Sequence, residues 1–448
     1  MELVRSLFVE GYADQVSYRT GETARLHVST SAESYVLEIA RVGAVREVVW
    51  QQDNVPGTEH PVPEDASSHG CAWPVSYELS IPADWRSGYY EMVFRAQDQG
   101  GKFCQRGQRT AESKGFFIVR PSASTEAKIL LQLATNTYNA YNNWGGYGLY
   151  GYNGRGGLQG HRVSFDRPMM VDFFDRWERD FVVWAETAGY AVDYCANSDL
   201  EFHPELLQNY SLVLSVGHDE YWSGPMRDTL EAHIDAGGNA AFFSGNSVCW
   251  QVRSEEGGRA LTCWKQLFNM DPAYAAGDYS NLSTLWSHHL VDRPENQLTG
   301  VGFLYGGYHL SHGQHMDGSG AFEVHRPEHW VFGDTGLKQG DAFGGEHTVV
   351  GYECDGCEYV VENGLPVSKG TYGTPDNFTI LCTAPATWHP SDSVWYERWQ
   401  HGRQGAAVMG VYTKGGTVFT AGTTDWPHGL KGDDQVVQIT RNVLDKLT

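Results

Sequence analysis

The stretch VLSVGHDEYWS, residues 213–223, is an apolar run that ends abruptly in His218, Asp219, Glu220, Tyr221 and Trp222. A buried strand seldom finishes this way unless the polar groups are used. An imidazole can carry a proton, and a carboxylate can act as a base or bind a cation. Glu220 is the hardest of these to dismiss, because a carboxylate in an aromatic crevice needs a cation or a metal as partner. For His218 the structural alternative is a histidine bonded to backbone, and for Asp219 a helix N-cap or loop bond. Two other segments bring polar residues to apparent strand ends: SGN (Ser244–Asn246) and TTDWPHG, with Asp425, Trp426 and His428. The stretch Asn136–Gly157 is dense in Tyr, Asn and Gly, and reads either as a stiff aromatic wall or as a loop whose tyrosines merely pack.

These residues need a frame that gathers strand ends. From residue 127 onward strands alternate with longer helical stretches, which predicts βαβ units and a mostly parallel sheet. AKILLQLAT, AVDYCA, NYSLVLSVG, NAAFFSG and GTVFTAGT read as strands; DFFDRWERDFVVWAETAGY, PMRDTLEAHIDAGG and DQVVQITRNVLDKL read as helices. ATNTYNAYNNWGGYGLYGYNGRGG reads as a strand-end loop, and residues 280–410 as insertions covering the sheet. In a doubly wound sheet ligands bind outside the carboxyl ends of the strands, which is where GHDEYW falls. Up to Val119 the pattern differs: short alternating segments such as SYVLEIARV and YYEMVFRA, separated by turns, predict an immunoglobulin-like β-sandwich. PSASTEA is the linker, giving domains 1–121 and 122–448.

The 448 residues exceed the single-core limit of roughly 250–300 residues, which agrees with two domains. With 55 acidic against 32 basic residues the net charge is -23, which disfavours nucleic acid and anionic membranes as partners. No signal-like segment and no apolar run of about 18 residues occurs, so the expectation is a cytoplasmic protein. The eight cysteines are scattered, which fits reduced thiols, and the lone C-x-x-C, Cys354 to Cys357, reads as a turn with incidental thiols.

NTYNAYNNWGG, SFDRP, VLSVGHDEYWS and FFSGN occur in that order, and with them the second domain resembles the catalytic region of the large subunit of N,N-dimethylformamidase. SIPADWRSGYYEMVFRA resembles the β-domain preceding that region. The resemblance implies an amidohydrolase with a mononuclear ferric ion held by two tyrosinates and a glutamate. It places the glutamate on Glu220 and a functional histidine on His218. One tyrosine falls on Tyr141, with Tyr138 as fallback, and the other on Tyr90, with Tyr89 as alternative. In the family the large subunit carries additional sequence before the β-domain and works with a small subunit; this chain begins directly at the sandwich. Its partners are therefore expected to be a small amide and, beyond that, a small subunit or further copies of the chain.

Elementary chemistry agrees with such a set. Fe3+ is hard and prefers anionic oxygen. A phenol, ordinarily protonated up to about pH 10, becomes a phenolate beside a trivalent cation. The expectation is a β-sandwich followed by an α/β doubly wound, glutamine-amidotransferase-like domain that hydrolyses a C–N bond. His218 would move the proton, and Asn246 and Asp219 would position substrate. Two rival readings stand beside it: a saccharide-binding protein without chemistry, and a metal-free amidotransferase-like hydrolase.

Overall fold

Alternating apolar residues over Thr23–Thr30, Ser34–Val42 and Gly88–Gln97 turn one face of each strand inward. The computed structural model describes residues 6–98, 110–121, 125–169, 172–311, 314–315, 319–388 and 404–448. It arranges the N-terminal strands in two sheets around a shared core that includes Leu26, Val28, Leu37, Ile39, Met92 and Phe94. The larger sheet runs Ser17–Tyr18, Thr110–Val119, Gly88–Gln97, Ser34–Val42, Arg46–Pro56; the smaller runs Val9–Ala13, Thr23–Thr30, Tyr77–Ser80. On the outer face of the larger sheet, Arg46 bridges Glu38 and Glu91 at 2.7 Å each, and Lys114 reaches Glu91 at 2.6 Å. That face is therefore charged, and its cross-strand pairs stabilise the sheet.

The second unit is built on a sheet of eleven strands. Val192–Ala196, Ile129–Leu133, Leu212–His218, Asn239–Gly245 and Thr417–Thr420 lie side by side in parallel. Gln404–Thr413, Thr379–Thr387, Gly302–Tyr308 and Glu353–Gly356 continue it antiparallel. Neighbouring residues on the central strands face opposite sides. Leu131, Leu214 and Phe243 pack with the helices Arg179–Thr187 and Asp434–Leu447, while Leu130, Val213 and Phe242 pack with Gly224–Asp235. Both faces of the parallel part are covered, which explains its near-continuous apolar sequence.

Four expectations are corrected here. Residues 280–410 do not simply cover the sheet: Gly302–Tyr308, Glu353–Gly356, Thr379–Thr387 and the start of Gln404–Thr413 extend it. The stretch expected as a strand-end loop opens with the helix Thr135–Tyr141, despite a Thr/Asn-rich sequence of low helix propensity. The helix expected from residue 172 begins as a wide π turn, Phe174–Glu178, before becoming α-helical. Cys354 lies in a strand rather than a turn, and the seven described cysteines are buried and form no disulfide with one another. Cys104 and residues 122–124 of the linker lie outside the described residues. No helix among the described residues is long and apolar enough to cross a membrane.

Arg41 and Glu186 join the two units. The guanidinium donates to both Glu186 oxygens (2.6 and 3.1 Å) and to Ser87 O, while Glu186 also accepts from Tyr194 Oη and Ala44 N. Removing one partner of such a buried pair leaves the other uncompensated, so Glu186→Ala is expected to cost about 3–5 kcal/mol. Denaturant titration checks this. A loss below about 1 kcal/mol, the scale of exposed pairs, would show the contact to be idle.

Candidate functional site

The central strand Leu212–His218 runs between two parallel neighbours, so its carboxyl end opens onto theirs. Gly217, at φ +77°, makes the exit: a Cβ there would overlap the Trp177 side chain. The chain then returns as the short strand Tyr221–Ser223 beside Trp250–Glu255. Glu220 is fixed at both ends of its backbone, its N–H donating to Thr137 Oγ1 (2.9 Å) and its C=O accepting from Trp250 N (2.9 Å). All five residues from His218 to Trp222 are at most 2 % exposed.

Around the Glu220 carboxylate stand three phenols, an indole and an imidazole. Tyr141 donates to Oε2 (3.0 Å), and Trp250 Nε1 donates to Oε1 (2.7 Å). The Tyr150 hydroxyl lies 2.9 and 3.1 Å from the two carboxylate oxygens and 2.7 Å from the Tyr141 hydroxyl, and Tyr221 donates to it at 2.7 Å. His218 Nε2 approaches Glu353 Oε2 at 2.7 Å and Glu220 Oε2 at 3.3 Å. Asn246 Nδ2 donates to the same Glu353 oxygen (3.1 Å). Below, the Lys265 ammonium lies 3.2 Å from the centroid of the Tyr150 ring and about equally far from Trp250 (4.9 Å) and Tyr221 (5.0 Å).

The electrostatics follow from burial. Burial raises the Glu220 carboxyl above the usual range, although His218 and Lys265 pull the other way. Burial, then the Glu220 charge, hold the Tyr141 and Tyr150 phenols well above theirs, so as neutral phenols they donate. For His218 burial opposes protonation, but Glu353 and Glu220 outweigh it and the imidazole stays above its ordinary value. Lys265 is drawn down to about 8 by burial, with Glu220 resisting. Asn246, Val248 and Lys265 all have positive φ (49°, 56° and 53°), a concentration of backbone strain around the site.

The expected site residues divide sharply. His218, Glu220, Tyr141 and Asn246 are brought together, whereas Tyr90 is not. Its hydroxyl donates to Arg86 O (2.7 Å), and its ring stacks on Trp85 and Phe117 inside the N-terminal core. Tyr89 faces the other way, as alternation along a strand requires, and lies flat on Phe174 (3.8 Å). The Tyr138 hydroxyl is taken by Glu178 (2.6 Å). Asp219 turns inward and accepts from Gln132 (2.5 Å), Ser215 (2.8 Å) and Asn197 (3.1 Å), which occupies it in tying strand ends together rather than in meeting substrate. Sequence reasoning missed Tyr150, Tyr221, Trp250, Lys265 and Glu353; the tyrosine density of Asn136–Gly157 was the signal for the first of them.

The donor set suits a small, hard cation. The hydroxyls of Tyr141 and Tyr150 and Oε2 of Glu220 form a triangle with edges of 2.7, 3.0 and 3.1 Å. An octahedron of oxygens at about 2.0–2.1 Å from a metal has edges of about 2.9 Å. Among the described residues no three His, Cys, Asp or Glu side chains are placed to hold a metal ion, so any such centre here needs the phenols. Beside the triangle, His218 Nδ1 and Asn246 Oδ1 are buried and find no hydrogen-bond partner among the described residues.

Comparison with known proteins adds to the geometry. Residues 36–439 match the family model described as N,N-dimethylformamidase beta subunit-like, C-terminal. The N,N-dimethylformamidase beta subunits of an Alcaligenes species and of Paracoccus aminophilus are each 22% identical to this chain, over 84% of it and 54% of their own length. The chain thus spans about half the length of these relatives. A family 123 glycoside hydrolase from Clostridium perfringens overlaps 53% of the chain and 72% of its own, at 5% identity and a TM-score of 0.11, too low to bear on the fold.

Proposed function

Because the chain belongs to the N,N-dimethylformamidase beta subunit-like family, we propose that the Glu220 cluster is the active site of an amidohydrolase that cleaves the C–N bond of a small amide. Tyr141, Tyr150 and Glu220 hold a ferric ion in this reading. The observation that carries it is the triangle of three potentially anionic oxygens next to His218. Two phenolates and a carboxylate neutralise a trivalent cation. When bound, such an ion polarises the substrate carbonyl and lowers the pKa of a coordinated water.

The chain's own residues supply the rest. Hydrolysis joins water oxygen to the carbonyl carbon, breaks the C–N bond and delivers a proton to the leaving nitrogen. His218 is the group that delivers it. Glu353 orients the imidazole, and Asn246, bonded to Glu353, orients the carboxylate. The aromatic rings of Tyr141, Phe173 and Trp177, with centroids 5.7, 6.2 and 5.1 Å from that of His218, keep water from its flanks. Lys265 places a positive charge under Tyr150 and favours the phenolate. The strand-end position at which a nucleophilic Cys or Ser would stand holds His218, Asp219 and Glu220 instead, which counts against a metal-free amidotransferase-like mechanism.

The same reading extends to fold and assembly. The two N-terminal sheets are taken as an immunoglobulin-like sandwich spanning residues 1–121, and the parallel strands as a glutamine-amidotransferase-like core within 122–448. The relatives are named as a subunit, which supports assembly with other chains; a cytoplasmic location is proposed as well.

Metal analysis of the purified protein together with its visible spectrum tests the centre. Stoichiometric iron and a phenolate-to-iron colour are expected; a colourless, zinc-loaded protein would overturn it. Tyr150→Phe is expected to weaken iron binding at least about tenfold and to shift or bleach the band, on the scale by which even a metal site's outer partners count. Tyr90→Phe should leave both unchanged. The reverse pattern would return the ligand role to Tyr90.

A further inference from the structure

Arg176 lies at the rim of the site, exposed, on the π turn Phe174–Glu178. Its guanidinium stands 4.3 Å from the Trp177 ring centroid and 5.6 Å from that of Tyr352. These same rings flank His218, at centroid separations of 5.1 and 6.4 Å. Both plates are held by one carboxylate: the Trp177 indole N–H donates to Asp425 Oδ1 (2.9 Å), and the Tyr352 backbone N–H donates to Asp425 Oδ2 (3.1 Å). Gly351 lets Asp425 come this close, because a Cβ there would collide with its carboxylate. His428 Nε2 lies 3.1 Å from Arg176 O and steadies the backbone as well.

The arginine is held by ring contacts rather than by an ion pair among the described residues. It has no carboxylate within ion-pair distance among the described residues, in a chain with 55 acidic residues. The nearby Asp175 is paired with Arg179 at 3.1 Å. A guanidinium fixed over aromatic faces, with its N–H fork unclaimed, is suited to take a carboxylate in two parallel hydrogen bonds.

We propose that Arg176 is a specificity-determining residue that binds a substrate carboxylate, so that the amides this site favours are small anionic ones of the N-acyl amino acid class. This rests on the hydrolase reading for its chemistry but on the rim geometry for its choice of substrate. The carboxylate seats on Arg176 while the amide reaches His218 past the Trp177 and Tyr352 rings. Hydrolysis of N-formylglycine would then yield formate and glycine, with the C–N bond broken and the proton placed on the glycine nitrogen.

N-formylglycine and its neutral analogue N-methylformamide separate the possibilities, with the iron-loaded full chain and its Arg176→Met variant compared by calorimetric binding and by initial rates. The wild type is expected to bind N-formylglycine at least tenfold more tightly and to show a correspondingly higher kcat/KM. Arg176→Met should erase that preference, and Arg176→Lys should restore part of it, since the charge returns without the fork. Equal binding of the two amides by the wild type, or a preference that survives in Arg176→Met, overturns the inference. Charge-selective, Arg176-dependent binding without turnover would sustain the carboxylate site while removing the hydrolase reading. Turnover without charge selectivity would do the opposite.

Discussion

Glu220→Gln is expected to purify without iron and without detectable amide hydrolysis. Glutamine matches the shape of glutamate but cannot serve the same partners. The carboxylate accepts from Trp250 and Tyr141 and lies within hydrogen-bond distance of Tyr150, so an amide N–H₂ in place of either oxygen would face a donor. A buried donor left without an acceptor costs about 1–3 kcal/mol, more where a charge is involved. The negative charge facing Lys265 and His218 is lost at the same time. As outer partners of a metal site each count for about 10–100-fold in affinity, loss of an anionic ligand should exceed 100-fold. Metal content per chain is the direct readout. A Glu220→Gln protein with full iron would exclude Glu220 from the ligand set.

His218→Gln should behave differently, keeping iron while turnover falls by about 10²- to 10⁴-fold, the range for loss of a general acid or base. The imidazole touches the Glu220 and Glu353 carboxylates and none of the phenols at bonding distance, so the oxygen triangle survives its removal. Iron content and colour near wild type with a collapsed rate would assign His218 to proton delivery. An emptied site would make it a ligand instead.

How much of this could be read from sequence depended on whether the signal was local. His218 and Glu220 were legible because an apolar strand ending in an imidazole and two carboxylates is locally odd. Tyr141 was reached through the motif around it. Glu353 was not legible: ECDG opens a C-x-x-C that reads as a turn, and its meeting with His218 depends on an antiparallel extension that no local pattern announced. Nothing local marks Lys265, and only the fold buries it against Tyr150. Tyr90 shows the opposite error. Two adjacent tyrosines on a strand must face opposite sides, yet the sequence alone does not say which side meets the second unit. The parallel strands and their helices were visible from period; the π turn and the helix Thr135–Tyr141 were not, because tertiary packing overrides weak propensity there.

The path of the sheet also orders the birth of the site. Along the sheet, the strand bearing Glu353 is separated from the strand bearing His218 by Gly302–Tyr308, Thr379–Thr387, Gln404–Thr413, Thr417–Thr420, the last in sequence, and Asn239–Gly245. Synthesis runs from the N-terminus, and contacts between distant segments wait for loop closure. On a ribosome, Tyr141, Tyr150 and Glu220 can meet as soon as the first parallel strands assemble, since all three precede residue 221. Glu353 cannot be seated until the strand near residue 420 has emerged and slid in beside Asn239–Gly245. The nascent chain can therefore gather the oxygen triangle before it can seat Glu353 beside His218.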